Sequence, residues 1–359
     1  MNIFSIDSNI PLLAETLKKQ YKVNKFFGNE LTNENLIQTQ TNFLIVRSTI
    51  KVNKELLKNT KVKFVATATA GFDHIDLEYI KNNNITLSIA SGANSNSVAE
   101  YVIYSILLWI KYRNKNIHNI TAGIIGYGNI GKKVKIYLDS IGIKTLINDP
   151  PLEDLNNKHN LFYSLDDIIK YSNIITIHTP MIKEGIYKTL NLIDAEKLYK
   201  IKKGSLLINA ARGGIVDETT LLNQKNKIDF IIDVWKNEPD YNIELAKNAL
   251  LATPHIAGHS YEGKLKATLI IVNTLNKLYK LNLDTSIISK ELKGFPSLKA
   301  KEFNNIENIF QILQDKRQLN KDQEYLLSIA KESNKEQLFS MFRNKYPKRH
   351  ETLFLKNIK

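Results

Sequence analysis

The amino-acid sequence predicts an α/β fold made of two successive α/β units followed by a C-terminal α+β appendage. Through about the first 280 residues, short β-branched runs alternate with helical stretches, the pattern of parallel sheets with helical crossovers. The second series holds six strand candidates, which suits a doubly wound parallel sheet. No period of roughly 20 to 50 residues recurs, so solenoids and propellers are excluded.

The elements follow in chain order from apolar periodicity. The first unit is predicted to have strands at residues 2–6, 43–47, 64–68 and 86–90. A long apolar helix from residue 97 to about 117 marks the boundary with the second unit. The second unit is predicted to have strands at residues 122–126, 144–148, 174–178, 205–209, 229–233 and 249–253. A helix at 261–279 then precedes a tail with Lys- and Glu-rich helices and weaker strand signals.

Composition is typical of a globular protein and excludes several classes. The 359 residues suffice for two or three domains, and 43% hydrophobic and 24% charged residues are ordinary globular values. The chain has no cysteine, which excludes disulfides and thiolate sites and fits a reducing cytoplasm. Its N-terminus lacks a signal-peptide pattern, and its longest apolar run, 101–110, is far short of the ~20 residues that span a bilayer. We therefore expect a cytoplasmic protein without a membrane segment.

The formal net charge of +14 is compatible with a nucleic-acid partner or with steering of anionic substrates. The lysines are scattered and mixed with acids rather than gathered into a basic arm with interleaved aromatics, so no nucleic-acid partner is predicted. Four histidines, His74, His118, His159 and His350, lack metal-ligand spacing, and no metal site is predicted.

A G-x-G-x-x-G fingerprint occurs where a dinucleotide site requires it, between an apolar strand and a helical stretch at 132–140. We expect Gly126 to allow the tight turn, Gly128 to let the backbone approach a pyrophosphate, and Gly131 to let the helix pack closely. The helix N-terminus would offer unpaired N–H groups to the anion. The predicted cofactor contacts in this turn are Gly126, Gly128, Asn129, Ile130 and Gly131.

Asp149 lies eighteen residues beyond Gly131, at the end of the next predicted strand, where a ribose-binding acid belongs. A carboxylate there accepts hydrogen bonds from the adenosine 2′-hydroxyl and would repel a 2′-phosphate. The following Pro150 and Pro151 supply no cation to offset that repulsion. The sequence therefore predicts NAD rather than NADP, and the alternative is a glycine-rich turn beside an incidental loop acid.

Three polar segments, 209–217, 233–239 and 253–258, follow strands of the second unit at the sheet edge where ligands of open α/β sheets bind. A 2-hydroxy acid needs a cation for its carboxylate, a base for its hydroxyl proton, and an acid that orients the base. Arg212, His255 and Glu238 supply these in turn. Asp233 is assigned to the nicotinamide end of the cofactor.

Each of these residues also has a structural interpretation. A single Arg is usually solvated, and a single loop His is more often structural than catalytic. Glu238 precedes a proline and could be only a turn residue, while Asp217 is expected to cap the next helix. His178, at a strand end, is expected to pack or to cap.

Residues 1 to about 280 resemble the D-isomer-specific 2-hydroxyacid dehydrogenases, whose Arg, Glu and His catalytic residues match Arg212, Glu238 and His255. The resemblance implies a doubly wound NAD-binding Rossmann sheet inserted into a smaller flavodoxin-like substrate domain, with the active site in the cleft. The implied domains are 1–96 for the first part of the substrate domain, 97–258 for NAD binding, 259–285 for the return helix and 286–359 for a dimerisation-like domain.

Within the family, four stretches are most similar to members that act on a phosphorylated 2-hydroxy acid: 46–53, 66–74, 149–151 and 178–189. Residues 338–346 look like part of the C-terminal dimerisation domain of those members, which implies a homodimer, although the tail is shorter than theirs. The resemblance also implies substrate contacts at Ser48, Thr69 and His259, and cofactor contacts at Thr179, Ala210 and Gly258. His259 stands where the family has a tyrosine.

Three other functions stay open at this point. One is a family member acting on D-3-phosphoglycerate or glyoxylate, which would differ only in substrate. Another is a non-catalytic NAD-sensing binding protein on the same fold, which fold alone cannot exclude. The third is nucleic-acid binding through the basic tail, which would show a steep salt dependence.

Overall fold

The computed structural model describes residues 2–156, 161–294 and 305–353 and divides the chain into two compact units. Unit 1 consists of Met1–Asn94 and Ser260–Pro296, and unit 2 consists of Ser95–His259 and Ser297–Lys359. The chain thus leaves unit 1, runs through most of unit 2, and returns once before ending in unit 2.

The described residues form eleven strands and sixteen α-helices. The strands are β1 (Ile3–Asp7), β2 (Lys22–Phe26), β3 (Phe43–Val46), β4 (Phe64–Thr67), β5 (Thr86–Ile89), β6 (Thr121–Ile125), β7 (Lys144–Asn148), β8 (Ile174–Ile177), β9 (Leu206–Asn209), β10 (Asp229–Ile232) and β11 (Leu251–Ala252). The helices are α1 (Leu13–Leu17), α2 (Asn33–Gln38), α3 (Lys54–Leu57), α4 (Leu77–Asn82), α5 (Ser95–Tyr112), α6 (Asn129–Ser140), α7 (Pro150–Asn156), α8 (Leu165–Tyr171), α9 (Ala195–Lys200), α10 (Glu218–Asn223), α11 (Ile243–Asn248), α12 (Tyr261–Tyr279), α13 (Ser286–Lys293), α14 (Ile306–Arg317), α15 (Leu319–Ser328) and α16 (Lys335–Asn344).

Unit 1 is built on a five-stranded parallel sheet in the order β2-β1-β3-β4-β5. This is the flavodoxin-like strand order that the sequence resemblance implies. Strands β3 and β4 are buried along their whole length, as expected for a parallel sheet covered on both faces. Helix α12 packs Leu265, Ile271 and Leu275 into the same core as Phe43 and Phe64.

Unit 2 is built on a six-stranded parallel sheet in the order β11-β10-β9-β8-β6-β7. Counted from the first strand of the unit, the order is 2-1-3-4-5-6, so the direction of winding reverses between β6 and β8. Ligands of doubly wound sheets bind at the carboxyl ends of the strands at such a reversal. The two sheets confirm the predicted α/β fold class.

The tail of unit 2 packs on helix α5. Tyr104 of α5 stacks on Phe310 of α14 with ring centroids 5.5 Å apart, and both are buried. The described tail residues 305–353 contain the helices α14, α15 and α16 and no strand, so the strand component predicted for the appendage is not seen among them. Their apolar residues recur at helical rather than strand spacing, as in Ile309, Phe310 and Leu313. No described helix is long and apolar enough to cross a membrane.

Candidate active site in unit 2

The turn between β6 and α6 has the geometry that its three glycines predict. Gly126 has a left-handed φ of 91°, and a Cβ there would lie 2.8 Å from the carbonyl oxygen of His178, beyond β8. A Cβ on Gly131 would lie 2.0 Å from the Gly126 carbonyl oxygen, so helix α6 can approach the turn only without a side chain there. The helix begins at Asn129, three residues earlier than expected from the sequence.

One feature of this turn and one of the loop that follows β8 fit a bound dinucleotide. Nothing described lies within 4 Å of a Cβ built on Gly128, so the backbone is open on the side where a pyrophosphate would approach. The Oγ1 of Thr179, which follows β8, is buried and has no hydrogen-bond partner among the described residues. A buried hydroxyl without a partner is costly unless a ligand supplies one. Thr179 and the fingerprint therefore suit the cofactor that the sequence predicts.

Asp149 follows β7 and lies beside the fingerprint. Its Oδ2 accepts the backbone N–H of Tyr127 at 2.7 Å, and its Oδ1 accepts the N–H of Leu152 at 3.0 Å in the first turn of α7. A carboxylate has about four acceptor positions, so these two bonds leave capacity for ribose hydroxyls. Its contact with ribose stays a prediction, but its place next to the turn is what that contact requires.

Arg212 is carried by a loop that leaves β9 through Asn209 and Ala210. The Asn209 side chain donates to the Arg212 carbonyl at 3.0 Å, which closes the loop on itself. A Cβ on the next residue, Gly213, would lie 1.9 Å from the carbonyl oxygen of Trp235, so this loop lies directly against the one that follows β10. The glycine thus holds the Arg212 loop against the segment that carries Glu238.

Glu238 and His255 form a hydrogen-bonded pair. The Nδ1 of His255 lies 2.7 Å from Oε2 of Glu238, and Oε1 of the same carboxylate accepts the Trp235 N–H at 2.8 Å. Burial raises the pKa of Glu238, but the charge and hydrogen bond of His255, the charge of Arg343 and the Trp235 N–H together hold it below its ordinary value. An ionised carboxylate only accepts, so Nδ1 donates and the ring's Nε2 is left to face a substrate.

Asp233 holds the backbone that carries His255. Its buried Oδ1 accepts the Thr253 hydroxyl at 2.6 Å and the Ile256 N–H at 2.7 Å, while Oδ2 accepts the Ala257 N–H at 3.0 Å. Burial raises the pKa of this carboxyl, opposed by the charge of His255 and by these three hydrogen bonds. The structure therefore places Asp233 behind the loop that carries His255, and its contact with the nicotinamide end stays a prediction.

The remaining predicted substrate residues lie at other strand ends. Ser48 and Thr69 follow β3 and β4, which are neighbours in the unit 1 sheet, and the Thr69 hydroxyl lies 2.7 Å from that of Thr67. In unit 2, His259 follows Gly258 and packs edge-on against Tyr346 of the tail, with ring centroids 5.2 Å apart.

Asp217 and His178 have the structural roles that the sequence predicts for them. Asp217 caps α10, as predicted, by accepting the N–H groups of Thr219 and Thr220. The His178 ring lies 3.0 Å from the Thr176 hydroxyl, and burial lowers the pKa of His178 to about 3, so it packs as a neutral ring. No group of three or more acids and histidines that could hold a metal occurs in the described part of the chain.

Sequence reasoning missed two cationic features. Arg343 of α16 places NH1 3.8 Å from Oε2 of Glu238, and nothing in the spacing of the tail pointed to the site. In unit 1, the pKa of Lys264 is lowered by burial and by the charge of Arg47, so these two cations are near enough to repel each other. Arg47 directly precedes Ser48, and that adjacency was the one available signal.

Comparison with known proteins supports the family resemblance found in the sequence. Residues 108–257 match the NAD-binding domain of D-isomer-specific 2-hydroxyacid dehydrogenases. The chain is 40% identical over 275 residues to erythronate-4-phosphate dehydrogenase of Escherichia fergusonii, covering 76% of this chain and 72% of the relative. An Escherichia coli protein of the same name is 39% identical over the same length and with the same coverage.

Solved structures agree with this relationship. D-lactate dehydrogenase from Aquifex aeolicus, complexed with NAD and lactic acid, has a TM-score of 0.64 and 26% identity over 82% of this chain and 98% of its own. NAD-bound 3-phosphoglycerate dehydrogenase from Entamoeba histolytica has a TM-score of 0.66 and 25% identity over 78% of this chain and 96% of its own.

Proposed function

The chain belongs to the D-isomer-specific 2-hydroxyacid dehydrogenase family of NAD-dependent oxidoreductases, and on that basis we propose that it oxidises 4-phospho-D-erythronate to (R)-3-hydroxy-2-oxo-4-phosphobutanoate. The substrate assignment rests on the 40% identity to relatives named for that acid. The observation that carries the chemistry is the 2.7 Å contact between His255 and Glu238 at the carboxyl edge of the unit 2 sheet. The reaction would belong to pyridoxal 5′-phosphate biosynthesis.

The catalytic residues have separable roles. Arg212 binds the substrate carboxylate with its fork of donors, which fixes the orientation of the C2 hydrogen. His255 accepts the C2 hydroxyl proton at Nε2 during oxidation and returns it during reduction. Glu238 holds the ring through Nδ1 and stabilises the imidazolium that forms. Bound NAD would supply the acceptor for the C2 hydride, so that C2 would become the ketone carbon.

The residues that would hold NAD are those of the β6–α6 turn together with Asp149, Thr179, Ala210, Asp233 and Gly258. Thr179 offers a buried hydroxyl in need of a partner, and α6 offers the N-terminus of a twelve-residue helix. Asp149 would select the unphosphorylated ribose.

Cations and hydroxyls of unit 1 support an anionic substrate. The charge of Arg47, which follows β3, acts on Lys264 of α12, and Ser48 is the next residue after Arg47. Phosphate and carboxylate oxygens accept from such groups. We propose that Ser48 and Thr69 contact the substrate, and that His259 donates where the family has a tyrosine.

Two other functions make different predictions. The likeness to 3-phosphoglycerate dehydrogenase favours D-3-phosphoglycerate as the alternative substrate, with the same catalytic residues. A binding protein that senses NAD would bind the cofactor and turn nothing over. We also propose a cytoplasmic homodimer, which light scattering of the purified chain would test.

The deciding experiment measures NADH by absorbance with purified protein, NAD and each of 4-phospho-D-erythronate, D-3-phosphoglycerate and D-glycerate. A parallel reaction contains a keto-acid acceptor, so that turnover is seen even if the cofactor stays bound. Selective turnover of phosphoerythronate supports the proposal. Selectivity for another acid would retain the mechanism and change the substrate, while NAD binding without turnover of any acid would favour the sensor.

A further inference from the structure

The C-terminal helix α16 places one cation beside the catalytic pair. NH1 of Arg343 lies 3.8 Å from Oε2 of Glu238, and this is the same oxygen that receives Nδ1 of His255 at 2.7 Å. The side chains of Arg343 and Glu238 are only 27% and 20% exposed, so water screens their interaction less than it would a surface pair. One carboxylate oxygen therefore faces two cations when the imidazole is protonated.

Packing fixes the guanidinium at this position. Its central carbon lies 5.9 Å from the ring centroid of Phe339, one helical turn earlier on α16. Phe339 is fully buried and stacks on Tyr241, which lies three residues beyond Glu238 in the same loop. Among the described residues, the buried Nε of Arg343 has no hydrogen-bond acceptor, and Glu238 is its ion-pair partner. The helix thus presents the cation to the Glu238 loop rather than to a carboxylate elsewhere.

We propose that Arg343 is a positioning residue of the dehydrogenase, which holds the Glu238 carboxylate and limits how strongly that carboxylate stabilises protonated His255. Oxidation needs the neutral imidazole as base, and a lone buried carboxylate at 2.7 Å would favour the protonated form. A second cation on the same oxygen offsets part of that stabilisation. The tail would then serve catalysis within its own chain, in addition to any role in dimerisation.

The other charged groups around the pair do not replace this cation. Asp233 lies behind the His255 loop, and burial raises the pKa of its carboxyl. Burial also raises the pKa of Glu218 to about 7, although the Lys236 N–H and charge lower it, so Glu218 adds negative charge mainly above that pH. Removing Arg343 therefore removes positive charge from the Glu238 carboxylate, and we expect protonation of the imidazole to become easier.

The test compares Arg343→Gln, which removes the charge, with Arg343→Lys, which keeps it. In Arg343→Gln, the acid limb of kcat/KM against pH is expected to move up by about one pH unit, so that the rate below the limb falls about tenfold while the plateau is retained. Arg343→Lys should restore most of the wild-type profile.

Lys335→Gln is the matched control, because Lys335 lies on the same helix and its Nζ is 2.6 Å from Asp240, two residues from Glu238. It removes the same charge without touching the pair and should leave the limb in place. An unmoved limb in Arg343→Gln, an equal shift in Lys335→Gln, or a raised KM with an unchanged profile would each overturn the inference. The last result would make Arg343 a substrate ligand.

This inference rests on the proposed dehydrogenase activity, so a second readout is needed that does not use turnover. The imidazole of His255 is titrated by NMR in the full-length protein with labelled histidine, with its signal assigned from a His255→Gln spectrum. The titration midpoint should be higher in Arg343→Gln than in wild type. If the wild type oxidises no acid, the proposed function fails, and the titration still decides the role of Arg343.

Discussion

His255 has a backbone conformation that few residues of its type adopt. Its φ is 55°, in the left-handed region that disfavours side chains with a Cβ. The surrounding hydrogen bonds to Asp233, from Ile256 and Ala257, compensate for this cost by tying down the residues that follow. Left-handed residues held in this way cluster at functional sites, and here the conformation directs the ring at Glu238.

Replacing His255 with alanine should remove the proton acceptor while leaving the cofactor turn intact. We expect kcat to fall by about 10²- to 10⁴-fold, the usual contribution of a general base. NAD affinity, measured by fluorescence titration, should change little. His118→Ala, at an exposed histidine, is the matched control and should retain activity. An active His255→Ala enzyme would contradict the catalytic assignment.

Replacing Asp149 with serine separates its role as the cap of α7 from its proposed contact with the ribose. Serine can still cap α7, where Asp149 accepts the Leu152 N–H, so the fold should be retained. Without the carboxylate, NAD affinity should fall roughly tenfold and the preference for NAD over NADP should shrink, since the repulsion of a 2′-phosphate is gone. Dissociation constants for both cofactors check this. Unchanged NAD affinity would show that Asp149 only supports the turn.

At the scale of elements, the sequence predicted most strands of the two sheets, for a physical reason. Central strands such as β3 and β8 are buried throughout and therefore appear as continuous apolar runs. Helix α12 was predicted with its observed bounds, since its apolar face is long and regular. Strand β2 was missed because it is an edge strand whose residues, apart from Phe26, are exposed or half-buried.

The proximity of Glu238 and His255 was predictable from the sequence, whereas the proximity of Arg343 to them was not. Glu238 and His255 each follow a strand of the same parallel sheet, and the carboxyl ends of such strands meet at one edge. Arg343 lies on a tail helix about ninety residues after His255. Only tertiary packing brings it to the pair, and no local pattern records that packing.

The contact between the two catalytic loops depends on Gly213. A Cβ there would lie 1.9 Å from the Trp235 carbonyl oxygen, so Gly213→Ala must separate the Arg212 loop from the Glu238 loop. We expect a loss of about 1–3 kcal/mol in the free energy of unfolding and a fall in kcat/KM. Denaturant unfolding and steady-state kinetics measure the two effects. Gly294→Ala is the matched control, because its φ of −73° is not left-handed and an added Cβ comes no closer than 3.4 Å to a neighbour, so it should change both quantities little.

At the scale of the whole molecule, a buried polar network connects Thr352 and Leu353 of the tail to helix α5. Oε1 of Glu100 accepts the backbone N–H groups of Thr352 and Leu353 at 2.6 and 2.7 Å. Its Oε2 lies 3.6 Å from NH1 of Arg317, and both side chains are almost fully buried. Burial raises the pKa of Glu100 to about 8, with the charge of Glu351 adding to it and Arg317 and the N–H groups opposing it.

This pKa determines how stability depends on pH. In the unfolded chain the pKa of Glu100 is near its ordinary value of 4.5, whereas burial in the folded protein raises this pKa to about 8. The stabilisation that it contributes is therefore complete below about 4.5 and is lost as the pH rises to about 8. Glu100→Gln cannot ionise, so the difference in thermal midpoint between wild type and variant should change across this window.

The difference between wild type and Glu100→Gln reports on Glu100 alone, because both proteins contain every other titratable group. Glutamine keeps the carbonyl oxygen that accepts from Thr352 and Leu353. The stability lost by placing a neutral amide beside Arg317 does not vary with pH. Glu307→Gln, which removes a carboxylate that is 71% exposed, should follow the wild type at every pH. If the Glu100→Gln difference is constant with pH, Arg317 keeps Glu100 ionised in the folded protein, and the network is a buried ion pair whose disruption costs several kcal/mol.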